Sequence, residues 1–439
     1  MPGVGKRQGE PYVKSWKMEP LQIAVLAGLT PQDIKTRFFD DRCEAIFYDE
    51  PTDLVAINAE TYTAKRAYAI AGEFRRRAVP VVLGGFHPTL VQEEAGRHAD
   101  AVVVGEVEGV WLQLVNDFKT GRMQKVYRSS QRPCLAGIKP RREIFEGRGY
   151  LPIVLMESAR GCTHSCNFCS ITRFFNKTCA GRPVEDIVCE IAAIKAKNVF
   201  FVDDNIVADT SRAKAFFEAL IPLGISWIGQ ATVCVAQDEG LLKLMKKSGC
   251  VGLLIGFESL NRQTLAHMGK VWNLQAGGYE ESLQKFRDTG IAVYGTFVFG
   301  YKGDTKDSIQ RSLDFALKQK FFMAAFNHLV PFPGTPLYEQ LRLEGRLLYD
   351  AWWLDPAYSF GDVAFRPLHM SPEKLAAACL DARKEFYQFS SILRRGMDLK
   401  VNCSGKMLPL YFSLNFFSRQ EVRSRQGLLL GEGMESGQK

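Results

Sequence analysis

No stretch of about 18 uncharged apolar residues, the length a membrane-spanning helix needs, occurs in this chain of 439 residues. The opening MPGVGKRQGEPYVKSWKMEP likewise lacks the apolar centre of a secretory signal, so the expectation is a cytoplasmic protein. Charge of one sign is not in large excess: 56 basic residues face 48 acidic ones, a net +8 with no basic stripe, which argues against nucleic acid as a partner. Histidine is scarce, six in all, and the first is His87. Repeats and low-complexity blocks are missing too. With 46% hydrophobic residues the chain reads as globular, long enough for two or three domains. A disulfide framework is not expected either. The eleven cysteines are odd in number, and three of them, Cys162, Cys166 and Cys169, crowd into one short segment, a pattern that reads as metal ligation in a reducing compartment.

What is present is a strand–helix rhythm. LQIAVLAG (21–28), DLVAINAE (53–60), VPVVLGG (79–85) and ADAVVVGE (99–106), with a helix near Thr63–Arg77, predict βαβ units and a parallel sheet. From Phe118 to Tyr150 periodicity fades into Gly, Pro and charge, the mark of a connection. Apolar runs then return at regular spacing: PIVLMES (152–158), NVFFVDD (198–204), ISWIGQ (225–230), VGLLIGFES (251–259), IAVYGTFVFG (291–300) and FMAAFNHLV (322–330). Six strands separated by helical stretches predict a partial (β/α)6 barrel. Beyond it lie a helix near Leu337–Gly345, the Trp-rich AWWLDPAYSF (351–360), a helix near Ser371–Phe386 and a basic, aromatic tail. Its LPLYFSLNFFSRQEVRSR (408–425) is expected to pack on the barrel rather than on a membrane surface. The fold class is α/β, divided into an extension (1–20), a Rossmann-like domain (21–130), a linker (131–150), the barrel (151–345) and a mainly helical region (346–439).

The segment ESARGCTHSCNFCSI places Cys162, Cys166 and Cys169 in a CxxxCxxC spacing directly after a predicted strand, so that three thiolates converge from one loop at a barrel mouth. Soft sulfur ligands suit iron–sulfur or zinc. Zinc requires a fourth ligand, with His164, Cys179 or Cys189 as candidates. A [4Fe–4S] cluster held by three cysteines keeps one iron open, and that iron can chelate the amino and carboxylate groups of S-adenosylmethionine (SAM).

With the aromatic Phe168 just before the last cysteine, this segment resembles the signature of the radical SAM superfamily. The chain is similar to those members that carry an N-terminal cobalamin-binding-type domain, in GGFHPTL (84–90), VVVGEVEGVW (102–111), FFVDDN (200–205), IGFESL (255–260) and VPFPGTPLY (330–338). The resemblance implies an enzyme with a [4Fe–4S] cluster, SAM and cobalamin, fed by a flavodoxin- or ferredoxin-type donor, that methylates carbon in a small or lipid-like metabolite. Cobalamin-independent cyclisation, rearrangement or 3-amino-3-carboxypropyl transfer is the alternative within the superfamily, and a non-catalytic metal scaffold the alternative outside it.

Polar residues that end the barrel strands are the SAM-site candidates. They are Asp203, Asp204 and Asn205 after the second strand, Gln230 after the third, and Glu258 with Ser259 after the fourth. The resemblance assigns Glu258 to the ribose, with Gly256 allowing close approach. Two readings stand for the acids: ligand contacts, or a cap for the helix beginning near Asp209 and a satisfied strand end. Gly300 lies beside adenine or substrate, or is a turn glycine. Arg160 and Arg173 flank the cluster loop. For cobalamin the candidates are Gly84, Gly85 and His87, with Thr89 and Glu106 beside them. No Asp-x-His-x-x-Gly motif is present to supply a cobalt histidine, and His87 is read as serving the nucleotide tail or capping the next helix.

Overall fold

The protein is seen in a computed structural model that describes residues 17–431 apart from 276, 406 and 425. Its first layer is a parallel sheet in which β1 (Val55–Asn58), β2 (Val81–Gly84), β3 (Ala101–Val104) and β4 (Val126–Arg128) lie side by side in that order. Neighbouring side chains on a strand point to opposite faces. Leu83, Val102 and Val104 therefore meet α2 (Ala64–Arg76) and α4 (Gln92–His98), which follow α1 (Leu21–Leu29) and the short α3 (Phe86–Leu90) in the chain. Val82, Ala101 and Val103 pack on the other face against α5 (Trp111–Lys119), with Leu26 and Leu29 of α1 beside them.

Two expectations need correction here. LQIAVLAG, read as the first strand, is α1. A short run whose one polar residue is Gln22 carries too weak a period to separate strand from buried helix, and its Leu and Ala content favours the helix. The strand β4 lies inside the stretch read as a connection. Only its Tyr127 is buried while Val126 and Arg128 face solvent, so three residues offered no detectable pattern.

All six barrel strands occur where the apolar runs placed them. β5 (Val154–Met156) is followed by a small antiparallel hairpin of β6 (Ala159–Gly161) and β7 (Cys179–Gly181), with α6 (Ser170–Phe174) between its arms. Then come β8 (Asn198–Phe201), β9 (Ser226–Ala231), β10 (Cys250–Glu258), β11 (Ala292–Phe299) and β12 (Met323–His328), giving a parallel sheet in the order β12-β11-β10-β9-β8-β5. The crossovers carry α7 (Val184–Ala193), α8 (Thr210–Leu220), α9 (Glu239–Lys247), α10 (Arg262–His267), α11 (Tyr279–Thr289) and α12 (Lys306–Lys318). Between strands and helices lies the main core, in which Phe201, Phe216, Phe217 and Trp227 are fully buried and edge or stack on one another at centroid separations of 5.1–5.7 Å. Rings so placed add to their area burial by their mutual geometry.

Four helices complete the chain: α13 (Pro336–Leu343), α14 (Pro372–Phe386), α15 (Phe389–Gly396) and α16 (Met407–Ser424). The tail packs on the barrel, as expected: Ile392, Val401 and Tyr411 bury against Ala292 and Phe322. Buried Arg395 has carbonyl acceptors from Phe321 and Phe386 and sits 3.7 Å above the Phe386 ring, so its charge is neutralised by dipoles and a π face rather than by a carboxylate. The Trp-rich segment returns to the first layer, where Trp352, Trp353 and Tyr358 join the core of the α2–α4 face. Among the described residues no helix is long and apolar enough to cross a membrane.

Candidate active site

The three cysteines sit on the loop between β6 and α6, and the base of that loop is held by two adjacent carboxylates at the end of β8. Asp203 accepts the Ser158 amide at 2.7 Å, the Ala159 amide at 2.9 Å and the Ser158 hydroxyl; Asp204 accepts the Gly161 amide at 2.7 Å. Burial pushes Asp203 up to about 7 and Asp204 up to about 6, against the lowering effect of those hydrogen bonds. The helix-cap reading of this pair is corrected by the structure: Asp209 caps α8, accepting the Arg212 amide at 3.0 Å. Asn205 is buried and its side chain accepts the Val207 amide, and Gln230, the last residue but one of β9, is half-buried with its carbonyl accepting the Ile206 amide.

Gly161 enters the cysteine loop with φ +91°, and a Cβ there would stand 2.1 Å from the Thr178 carbonyl oxygen, so the residue before Cys162 must be glycine. Burial raises the Cys162 thiol and pushes Cys166 up to about 12, with Lys270 pulling Cys166 the other way. Metal binding would have to displace those protons. The three thiols are close enough to feel one another's charge, yet among the described residues no three Cys, His, Asp or Glu side chains converge on a single ion. His164 is stacked on Trp272 at 3.8 Å and Cys189 is exposed, while Cys179 faces Gly161 across the hairpin. An all-thiol set on one short loop suits an iron–sulfur cluster.

Across from the loop, the end of β10 is irregular. Its register with β11 shifts between Gly256 and Glu258, and Glu258 has φ +60°, a backbone strain of about 1–3 kcal/mol of the kind stored at functional sites. Its carboxylate pairs with Lys270 at 2.6 Å, both groups being nearly buried, and Lys270 also donates to the Gly256 carbonyl at 2.9 Å. A Cβ on Gly256 would lie 2.2 Å from Glu258 Oε1, so glycine is what lets this pair fold over the strand. Beside it Asn273 Oδ1 and Trp272 Nε1 are buried without a hydrogen-bond partner, an acceptor and a donor left open. Ser259 accepts the Asn261 amide and shapes the turn. Gly300, with φ +117°, packs under Phe365 and Leu375, and its amide donates to Asp304, which gives it a turn role. Phe168 meets Tyr301 edge-on at 6.3 Å.

The carboxyl edge of the first sheet faces the cysteine loop. Phe86 lies 4.4 Å from Phe174, and Arg160 of β6 donates to Glu108 at 2.7 Å and Glu157 at 2.6 Å while reaching Glu106 at 3.4 Å. Arg132 closes the group on Glu106 at 2.8 Å, whereas Arg173 is exposed. At this edge Gly84 has ordinary room and Gly105, φ +85°, has nothing within 4 Å of where a Cβ would stand. Gly85 is different: a Cβ there would meet Asn58 and Ala59 at 2.6–2.7 Å, so its own fold demands it. Thr89 bridges the Gly85 carbonyl and the Gly105 amide. The reading of His87 is corrected. It is fully buried, with Nε2 3.0 Å from both Tyr68 and Glu94 and Nδ1 3.4 Å from Thr61, in a network that Trp353 joins through Glu94. Lys270, Asn167, Tyr301 and Glu108 escaped the sequence reading. Asn167 and Glu108 carried a signal, one inside the cysteine motif and the other inside VVVGEVEGVW (102–111).

Residues 156–316 match the Radical SAM superfamily. The chain is 28% identical to bacteriochlorophyllide d C-12(1)-methyltransferase of Chlorobaculum tepidum over 92% of its own length and 89% of that protein. It is also 28% identical to the C-8(2)-methyltransferase of the same organism, over 85% and 87%. Among solved structures, the cobalamin-dependent SAM radical enzyme OxsB, with aqua-cobalamin and SAM bound, matches at a TM-score of 0.62 and 14% identity over 85% of this chain and 64% of that one. The radical SAM methyltransferase TsrM of Kitasatospora setae, with cobalamin and a [4Fe-4S] cluster, matches at 0.55 and 17% identity over 68% and 66%. The chain thus spans about two thirds of each of these solved chains.

Proposed function

This chain is a radical SAM enzyme, its domain of that superfamily spanning residues 156–316, and from that premise we propose that it is a cobalamin-dependent C-methyltransferase acting on an apolar small molecule. The observation that carries the reading is the meeting of two edges: the open carboxyl edge of the first sheet at Gly84 and Gly105 stands against the loop of Cys162, Cys166 and Cys169. When bound, the cluster and SAM supply a carbon radical, and cobalamin supplies the methyl group.

The chain's own residues have narrower tasks. Cys162, Cys166 and Cys169 would hold the cluster, while Asp203 and Asp204 fix the base of their loop. Glu258, aimed by its bulge and set by Lys270, would receive the ribose of SAM. At the facing edge Glu108 Oε2 is buried and unpartnered, an acceptor suited to the side-chain amides of a corrin. Because His87 is enclosed, it would not be among the residues that hold the cobalamin. Along β10 and β11 the half-buried positions that alternate with the buried core residues include Leu254 and Tyr294, with Thr296 as a polar exception, a pattern that favours an apolar substrate. The two bacteriochlorophyllide-methylating relatives support a substrate of tetrapyrrole or similar apolar character. Exposed Arg173 and Lys177 beside the loop suit an acidic flavodoxin- or ferredoxin-type donor.

The test is anaerobic reconstitution followed by iron, sulfide and corrinoid analysis and by chromatography after adding SAM and dithionite. Joint accumulation of 5′-deoxyadenosine and S-adenosylhomocysteine with corrinoid bound is the expected result. Formation of 5′-deoxyadenosine alone, with no corrinoid retained, would overturn the cobalamin assignment.

A further inference from the structure

The cysteine loop has no strand or helix of its own between Gly161 and Ser170, yet three thiols on it must keep fixed positions. One residue supplies most of its anchorage. The Asn167 amide donates to the Met268 carbonyl at 3.1 Å, and its carbonyl accepts the Leu337 amide at 3.1 Å. Its side-chain Nδ2 donates to the His267 carbonyl at 2.9 Å, and its Oδ1 accepts the Tyr301 hydroxyl at 2.7 Å. All four bonds leave the loop, and they end on three different connections: after β10, after β11 and at the first turn of α13 beyond β12. The first of these connections is pressed against the loop itself, since a Cβ on Gly269 would stand 3.0 Å from the Ser165 carbonyl oxygen. The next residue is Lys270, the partner of Glu258. Asn167 therefore joins the segment bearing Cys166 and Cys169 to the strand end bearing Glu258. The amide side chain donates to a carbonyl from its nitrogen and accepts from a hydroxyl at its oxygen; aspartate of the same shape lacks the donor and leucine lacks both.

We propose that Asn167 is a positioning residue, which sets the cluster thiols relative to the SAM-facing ends of β10, β11 and β12. This rests on the radical SAM reading of the same loop. Loss of its side chain is expected to disturb the fit between cluster and SAM more than the assembly of the cluster, because the two main-chain bonds and the three cysteines stay. Tyr301 is the second half of the device, as its hydroxyl donates to the Asn167 side chain.

The experiment compares wild type, Asn167→Ala, Tyr301→Phe and the double variant after anaerobic reconstitution. It reads iron and sulfide per chain, the EPR spectrum of the reduced cluster with and without SAM, and KM against kcat for 5′-deoxyadenosine release. Iron and sulfide near the wild-type level are expected in every variant. The SAM-induced change in the EPR spectrum should be lost or broadened in Asn167→Ala, and its KM for SAM should rise about tenfold, the size of effect one or two hydrogen bonds produce. Tyr301→Phe should shift both readouts the same way by less, and the double variant should match Asn167→Ala, because the two side chains share one bond. An Asn167→Ala protein with an unchanged SAM-dependent spectrum and KM would overturn the proposal. If Asn167→Ala fails to fold, Tyr301→Phe decides alone: a shifted spectrum supports the coupling and an unchanged one refutes it. A wild-type protein that takes up iron and sulfide but shows no response to SAM would instead count against the radical SAM reading.

Discussion

Lys270 Nζ lies 2.6 Å from Glu258 Oε1, with both side chains about nine-tenths buried, and the only backbone they fold across is that of Gly256. Attraction between two such charges roughly offsets the cost of removing them from water, so the pair is better evidence of orientation than of stability. Removing one partner is another matter. Lys270→Met is expected to cost about 3–5 kcal/mol, because it strands a buried carboxylate, and the double variant Lys270→Met, Glu258→Gln should recover much of that loss. Denaturant unfolding of the four proteins measures the cycle. Equal stability of the single and double variants would show that Glu258 finds another partner.

Asp203 gives the fold a pH signature. Burial holds its carboxyl at about 7 in the folded chain, above its ordinary value of 3.8. A carboxyl raised on folding keeps its proton in the native state while the unfolded chain has already lost it, so stability falls as pH rises from about 4 through about 7. Asp203→Asn carries no titrating proton and retains one acceptor for the Ser158 amide. Its stability, followed by urea midpoints between pH 5 and pH 8, should decline less steeply than that of the wild type. Parallel slopes for the two proteins would remove Asp203 as the cause.

Gly161 offers a sharper steric test. Its φ of +91° disfavours any other residue, and the Thr178 carbonyl oxygen occupies the place of a Cβ at 2.1 Å. Backbone cannot move aside as a flexible side chain can. Gly161→Ala should therefore displace the start of the cysteine loop and cost upwards of about 2 kcal/mol. Iron bound after reconstitution should fall well below the wild-type level, whereas Gly105→Ala, which meets only the φ penalty and no neighbour, should keep its iron.

The barrel was legible because each of its strands lies in an apolar run bounded by polar ends, and the cysteine spacing survives any uncertainty about boundaries. β10, nine residues from Cys250 to Glu258, is the clearest case. What stayed hidden depends on contacts between distant segments. Nothing near position 270 announces that Lys270 meets Glu258, because the bulge that turns the carboxylate is set by the register with β11. His87 reads from its place in GGFHPTL as serving a nucleotide tail or capping the next helix, but Tyr68, Glu94 and Trp353 come to it from three separate segments and enclose it. Helix α1 failed for a local reason: in an octet whose one polar residue is Gln22 there is too little of a polar face from which to read a period.

Arg160 is where the two layers communicate, and it yields the last prediction. Its guanidinium is shared by Glu157 of its own layer and by Glu106 and Glu108 of the first sheet, while Glu108 Oε2 keeps one lone oxygen buried beside it. These carboxylates raise the arginine well above its ordinary range against the opposing effect of burial, so it stays charged at any working pH. Arg160→Met keeps the length of the side chain and removes the charge, leaving acidic groups of both layers facing one another. Repulsion between them should loosen the first sheet from the cysteine loop without unfolding either. Hydrogen exchange is then expected to rise in residues 105–109 and 157–161 while β10 and β11 stay protected. Corrinoid retention on gel filtration should fall with it, and iron content should not. Exchange that rises throughout the barrel would mean that Arg160 serves the stability of the whole chain rather than the seam between its layers.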